Sequence, residues 1–185
     1  MGDERMLTIY IPEGEAYDEK TEEFISIKPC TLTLEHSLVS ISKWESKWKK
    51  PFISDKSQTE DEFRDYVRCM TITTQVDPLV YKFLTSDHIK QIMDYIEDPM
   101  TATWFNDKNK KKSKKEVLTS EVIYYMMIAQ QIPMECQKWH LNRLMTLIRV
   151  CSEKNAPQKK MSKSEIYARN KALNAQRKAK YNTRG

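Results

Sequence analysis

The sequence predicts a mainly α-helical protein: a helical bundle with a short N-terminal β-hairpin and a basic, partly helical C-terminal tail. Apolar residues recur at intervals of three and four along most of the chain, which is the spacing of one helix face. Only three of the 185 residues are glycine, too few for the tight turns of an all-β fold. We therefore divide the chain into a strand-like region (1–31), a helical core domain (32–154) and a basic tail (155–185).

The N-terminal region predicts one β-hairpin. Residues 6–11 are rich in β-branched side chains and end at Pro12, and residues 24–27 form a second short apolar run. The residues between these runs carry most of the carboxylates of the region, which predicts an acidic loop. A lone hairpin is marginally stable, so we expect this one to pack on the helices or on a partner.

The helical domain begins with an apolar face that repeats at helical spacing and ends before Pro51. Its members are Leu34, Leu38, Ile41, Trp44 or Glu45, and Trp48. Further helix starts are predicted by capping residues, by a capping box and by prolines at first helical positions. They lie at Thr59, Asp77, Ser86, Thr119 or Ser120, and Pro133. The last two of these helices are the most apolar, so we expect them at the centre of the core.

A lysine-rich segment interrupts the helical domain. Residues 101–105 favour a strand, and the loop at 106–115 carries six lysines. We interpret the segment either as a hairpin with a solvated lysine loop or as a long mobile loop between helices. No aromatic residue lies among the lysines to stack on bases, so a solvated loop is favoured over a phosphate-binding one.

The net charge is distributed unevenly along the chain. The whole chain carries +5, whereas residues 155–185 carry nine lysines or arginines and one acid, which leaves −3 for the rest. Any argument for an anionic partner therefore concerns the tail and the lysine loop.

The tail predicts a helix that starts at a capping box, Ser162 to Glu165. Its apolar area is small and isolated helices of this length are marginal in water, so we expect a frayed helix that orders on a partner. The cations suit nucleic acid, whereas Ile166, Tyr167 and Leu173 suit a groove on a protein, and both alternatives stay open. The candidate basic contacts are Lys159, Lys160, Arg169, Lys171, Arg177 and Lys178.

Several classes of protein are disfavoured by what the sequence lacks. No glycine-rich phosphate-binding motif can be written with three glycines. No run of about 18 apolar residues would span a membrane, and the acidic N-terminus predicts no secretory signal. The four cysteines are scattered without a C-x-x-C pair, which predicts reduced thiols in a cytoplasmic protein.

No set of residues predicts catalysis or a cofactor. Cys136 and His140 have the spacing of two ligands on one helix, but a closed zinc site needs four. No cysteine has a neighbouring group in the sequence that would activate its thiol as a nucleophile. We therefore predict a non-enzymatic protein that binds neither a metal nor another cofactor.

The helix that contains Trp44 and Trp48 offers two interpretations. Large aromatic side chains most often anchor a core, and this interpretation is favoured. The alternative is an apolar surface that receives an amphipathic helix, to which some of the ten methionines would contribute adaptable packing. The candidate partner-contacting residues are Leu38, Ile41, Trp44, Trp48 and Trp139.

Two long segments and two short ones carry a resemblance to a known family. They are LEHSLVSISKWESKWKKPF at 34–52, ECQKWHLNRLMTLIRVC at 135–151, KMSK at 160–163 and NTRG at 182–185. With them, most of residues 31–185 resembles the tail assembly chaperones of long-tailed bacteriophages. The strand-like N-terminal region departs from a wholly helical chaperone.

The resemblance implies a helical protein of the host bacterial cytoplasm. Such a protein binds the tape measure protein, a long chain prone to form coiled coils, until tail tube subunits polymerise around it. The resemblance implies no catalytic residue and no cofactor. Several copies along one client would gain from avidity, so a homo-oligomer is an expected state. The alternative is a structural virion or head–tail joining protein whose basic tail contacts DNA or a neighbouring subunit, although nucleic acid is the less favoured partner.

Overall fold

The computed structural model describes residues 6–18, 22–54, 58–105, 117–156 and 162–181 of the chain. The chain divides into two compact units, Met1–Ser152 and Glu153–Gly185. Helices form most of the regular structure, and an antiparallel β-ribbon forms the N-terminal part of the first unit. The predicted fold class is therefore confirmed in its two coarse features, the mainly helical content and the N-terminal hairpin.

The ribbon contains four strands rather than the predicted two. They are β1 (Leu7–Ile11), β2 (Gly14–Asp18), β3 (Glu23–Ile27) and β4 (Cys30–Leu34). β1 pairs with β4 and β2 pairs with β3, both antiparallel. The predicted pairing of residues 6–11 with 24–27 is therefore wrong, and part of the predicted acidic loop is strand.

Both ladders share one register, so together they form a single long hairpin with an interruption. Ile11 lies opposite Cys30 and Gly14 lies opposite Ile27, which places Pro12 across from Pro29. Proline cannot donate a ladder hydrogen bond, so two facing prolines explain the gap between the ladders. Pro12 interrupts the hairpin rather than ending it.

The buried face of the ribbon changes at the prolines. Ile9 and Ile11 point into the core before the interruption, whereas after it Ile27 is buried and Tyr17 and Phe24 are exposed. The second half of the ribbon packs on a 3₁₀ segment, Pro78–Phe83. A β-carbon on Gly14 would lie 3.0 Å from two carbons of the Phe83 ring, so glycine permits this close approach.

Helix α1 (Leu38–Trp48) starts later than the apolar spacing predicts. Leu34 ends β4, and Ser37 caps the helix through a reciprocal capping box with Ser40. The backbone at Leu34 and Glu35 is held instead by the end of the next helix, since the Glu35 amide donates to Met70 O at 2.8 Å. Leu34 therefore lies in a strand, although its position fits the helical spacing of the apolar residues in α1.

The described residues of the first unit contain four further helices, the last of which extends beyond Ser152. They are α2 (Glu60–Met70), α3 (Ser86–Glu97), α4 (Ser120–Ala129) and α5 (Leu141–Asn155). The predicted capping box at Thr59 is confirmed, and Asp77 caps the 3₁₀ segment with Pro78 at its first position. The cap of α3 is Thr85 rather than Ser86, and Thr119 caps α4.

The predicted helix from Pro133 onwards is divided in two. A 3₁₀ segment, Met134–Lys138, precedes α5, and the chain is extended at Trp139 and His140. His140 forms an isolated β-bridge with Ser37, and the Leu141 amide donates to His36 O at 2.9 Å. These tertiary bonds replace the helical bonds at the break.

The centre of the core also differs from the prediction. Fully buried apolar side chains come mainly from β4, α1 and α2, and α4 and α5 add a second set. Helix α4 exposes 70% of Tyr125 and 65% of Ile128, so it is less central than its composition predicts. Residues 101–105 are irregular rather than a strand, and the lysine loop at 106–115 lies outside the described residues.

After the end of α5, the described residues of the second unit form one helix, α6 (Lys163–Tyr181). Its start is capped by Ser162, whose hydroxyl accepts from the Glu165 amide at 3.2 Å while the Glu165 carboxylate accepts from the Ser162 amide at 2.8 Å. Every described residue of this helix is exposed. The helix predicted for the tail is therefore present over residues 163–181.

Candidate functional site

Three of the predicted partner-contacting residues lie inside the first unit. Leu38, Ile41 and Trp44 have no exposed surface. The Trp44 indole donates its Nε1–H to the carbonyl of Glu62 at 2.9 Å, which ties α1 to the start of α2. Burial removes these side chains from any surface, so the prediction that they contact a partner is corrected in favour of the core interpretation.

Trp48 and Trp139 are half-buried, and each is engaged within the fold. The Trp48 indole stacks on Trp44 and donates to Asp65 Oδ2 at 2.8 Å. Trp139 lies at the break before α5, where the Arg143 guanidinium sits 4.5 Å from its ring centroid. Both side chains therefore have structural partners already.

The predicted basic contacts lie in the second unit. Four of them, Arg169, Lys171, Arg177 and Lys178, are exposed on α6. Lys159 and Lys160 lie outside the part of the chain that the structure describes. The four described cations point around the helix rather than along one narrow face, as the sequence spacing requires.

An apolar groove of about 840 Å³ lies on a different face of the first unit from the one predicted. It runs between α2 and α3, and the segment after α1 and the start of α5 complete its walls. Its apolar lining residues are Phe52, Ile53, Phe63, Ile89, Met93, Ile96 and Leu141. Most of these side chains are half-buried, and Met93 is 40% exposed, so the groove is open to solvent.

Polar groups lie along the edges and floor of the groove. They are His36, Gln58, Thr59, Glu60, Glu97 and Asn142. The Asn142 amide donates to the carbonyl oxygens of Ile96 and Asp98, which fixes the end of α3 against the start of α5. The groove is therefore a preformed feature with walls held by backbone-directed bonds.

Glu45 positions one wall of the groove from inside the fold. Its two carboxylate oxygens accept from the Phe52 amide at 2.8 Å and from the Ser120 amide at 2.7 Å. This buried carboxylate thereby connects the end of α1, the segment after it and the start of α4. The Phe52 ring it positions packs on Tyr66, with ring centroids 4.0 Å apart.

A buried polar cluster lies beneath the groove floor. His36 Nδ1 is 2.5 Å from the hydroxyl oxygen of Tyr66, and the His36 amide donates to the hydroxyl oxygen of Tyr95 at 3.2 Å. Burial, together with the neighbouring His140, lowers the pKa of His36 from 6.5 to about 3. His36 is therefore neutral at the groove floor near pH 7.

His140 completes the buried cluster. Its ring lies 4.9 Å from that of His36, between centroids, and its Nε2–H donates to the carbonyl of Tyr95 at 2.9 Å. Burial lowers the pKa of His140 as well, against the opposing effect of this hydrogen bond. Nδ1 of His140 is buried without a hydrogen-bond partner in the described part of the chain.

Groups that could bind a metal are dispersed in the described part of the chain, and the Cys136 thiol is buried. Within the described ranges, no three histidine, cysteine or acidic side chains come together as a metal site. Cys136 lies buried in a 3₁₀ segment, and burial raises the pKa of its thiol, which opposes formation of a nucleophilic thiolate. None of the helices in the described segments has both the length and the apolar character needed to cross a bilayer.

The sequence contained one signal for the groove. Helix α3 carries apolar or aromatic side chains at Ile89, Ile92, Met93, Tyr95 and Ile96, a wider face than one packing surface requires. In the structure Ile92 and Tyr95 are buried, and the remaining three line the groove. The wide apolar face of α3 thus serves both the core and the groove wall.

Comparisons of the chain with known protein families, with curated proteins and with solved structures find no match.

Proposed function

We propose that the protein is a tail assembly chaperone that binds an amphipathic segment of a tape-measure-like coiled-coil client in the groove between α2 and α3. The observation that carries the proposal is the groove itself, an open channel of about 840 Å³ whose lining is mainly apolar. The resemblance described above supplies the class of client.

The chemistry of the groove suits a holding function. A coiled-coil chain exposes an apolar stripe at positions i, i+3, i+4 and i+7 before it assembles, and such a stripe fits a groove between two helices. The half-buried aliphatic side chains of the groove would bury more apolar area against an added helix. The unit does not need that helix in order to fold. Binding of this kind is reversible, as it must be if tube subunits later displace the chaperone.

The test is coexpression with a tape-measure-like coiled-coil protein. The variant Met93→Gln places an amide in the groove at a partly exposed position, so the chain should fold while the soluble yield of the client falls. Ile128→Gln makes a comparable apolar-to-polar change on α4, away from the groove, and should leave the yield as in the unmodified protein. Circular dichroism of both variants checks that the fold is kept.

Three outcomes would contradict the proposal. The client could stay insoluble with the unmodified chain, the two variants could lower the yield equally, or the protein could be found in purified virions. The last result would favour the structural alternative, for which the observation in hand is the exposed helix α6 with six cations and one acid. Binding of duplex DNA that weakens steeply with salt would support that alternative.

A further inference from the structure

The charges on the groove have one sign. Of the residues that line it in the described part of the chain, only Glu60 and Glu97 are charged at neutral pH, and both are carboxylates. Glu60 is the first residue of α2 and Glu97 the last of α3. The groove thus combines a mainly apolar lining with carboxylates from the start of α2 and the end of α3.

The carboxylate at the α3 edge is the more available of the two for a cation. Glu97 stands at the C-terminal end of that helix, where the helix dipole adds partial negative charge, and Asp94 and Asp98 flank it. Among the described residues Glu97 forms no ion pair, whereas Glu60 accepts from Arg64 at 2.6 Å on the next turn of α2. An incoming cation would therefore meet less competition at Glu97 than at Glu60.

We propose that the groove selects helices whose apolar stripe is bordered by lysine or arginine. The identity of this helix as a client segment rests on the proposed function, but its chemistry follows from the groove alone. Long cationic side chains can lay their methylene stems along the apolar walls and extend their charged ends to the carboxylates at the edges. Acid-bordered stripes with the same apolar face would be repelled by the same edges.

The experiment uses three synthetic helices of about 20 residues. They share one apolar stripe and carry lysine, glutamine or glutamate at the bordering positions, with a fluorescein label for anisotropy titration against the full chain. We expect the lysine peptide to bind about fivefold more tightly than the glutamine peptide at low salt, and the glutamate peptide to bind least. Added salt should narrow these differences.

Two charge reversals on the same helix locate the effect. Glu97→Lys should weaken the lysine peptide about tenfold and strengthen the glutamate peptide, since it replaces an attraction by a repulsion. Asp94→Lys makes the same change of net charge one turn away, but Asp94 does not line the groove, so its effect on the peptides should be clearly smaller than that of Glu97→Lys. Met93→Gln should weaken all three peptides, which shows that they occupy the groove rather than the basic tail.

The outcomes separate this inference from the proposed function. Equal affinities for the three peptides, binding of none of them, or equal effects of Glu97→Lys and Asp94→Lys would overturn the charge selection. If the peptides behave as expected but the coiled-coil client is not kept soluble, the groove chemistry stands and the chaperone function fails. If the client is kept soluble and Glu97→Lys has no effect on the peptides, the function stands and the charge selection fails.

Discussion

The two units of the chain form helices for different reasons. Helix α2 and helix α6 both start with a capping box, Thr59 with Glu62 and Ser162 with Glu165. In α2 the capping glutamate is only 2% exposed, and the helix continues with Tyr66, Val67 and Met70 fully buried. In α6 every described residue is exposed. The same local signal therefore starts a helix that packing stabilises in one unit, and a helix that depends on its own propensity in the other.

The difference shows which interactions stabilise each helix. Burial of apolar area supplies most of the stability of helices in a folded domain, and capping contributes about 1 kcal/mol. Perturbing the core should thus affect the first unit strongly and the second not at all. Substitutions confined to the caps should instead remove a larger fraction of the helix stability in the second unit than in the first.

The largest effect is expected from Trp44→Ala. This substitution removes a fully buried indole and its hydrogen bond to Glu62 O, so the free energy of unfolding of the first unit should fall by about 3–5 kcal/mol. Urea titration followed by far-ultraviolet circular dichroism measures it. Trp104→Ala is the matched control, because Trp104 is 88% exposed and its loss should change stability by less than about 0.5 kcal/mol.

If Trp44→Ala kept full stability, the result would contradict the conclusion that burial of apolar area stabilises the first unit. A loss confined to the signals of α6 would do so as well.

An intermediate effect is expected from acid. The folded unit keeps His36 neutral down to about pH 3, whereas the unfolded chain takes up a proton near pH 6.5, so the unfolded state binds more protons between these values. Stability is then complete above pH 6.5 and falls as the pH is lowered, by about 2 kcal/mol at pH 5 from His36. The lowered pKa of His140 acts in the same direction.

The variant His36→Asn should flatten this dependence, measured as the slope of unfolding free energy against pH from 8 to 5. Gln91→Asn, at an exposed position of α3, introduces the same side chain without removing a titratable group and should keep the slope of the unmodified protein. Hydrogen bonds from Ser162 lower the pKa of Glu165, so α6 should keep its cap through the same range. An unchanged slope in His36→Asn would show that another group carries the acid response.

The smallest effect is expected at the two capping boxes. Thr59→Ala should lower the stability of the first unit by about 1 kcal/mol. Ser162→Ala should leave that unfolding transition in place and reduce only the helix content of 163–181. Amide exchange measures both, and in the unmodified protein we expect residues 165–180 to exchange much faster than those of α5. Strong protection of 165–180 in the free chain would contradict the comparison.

Local signals in the sequence predicted much of the fold. Capping residues and helical spacing located the starts of α2, α3 and α4 to within one residue, because those signals act within one turn of the chain. The break at His140 was missed since it depends on a backbone bridge to Ser37, about a hundred residues earlier. The strand β4 was missed because Leu34 happens to continue the spacing of α1.

The site was less accessible to sequence reasoning. The size of Trp44 and its neighbouring lysines suggested a surface that binds a partner. In the structure both tryptophans of α1 pack inward against α2. The groove draws its walls from four segments that are far apart in the chain, so no window of the sequence contains it. Its two carboxylates, Glu60 and Glu97, are single residues at helix ends. They line one groove only because the fold places α2 and α3 side by side.

The facing prolines of the N-terminal ribbon have a consequence for solubility. The outer edge of β4 is partly covered, since the Ile72 amide donates to Thr33 O at 2.9 Å, whereas an uncovered strand edge could template the growth of an intermolecular sheet. Pro12 and Pro29 remove donors at the middle of both edges, which limits any uninterrupted template to five residues, the length of each strand. A chain that keeps an apolar groove open in a crowded cell is thereby protected from amyloid-like stacking through its most extended segment.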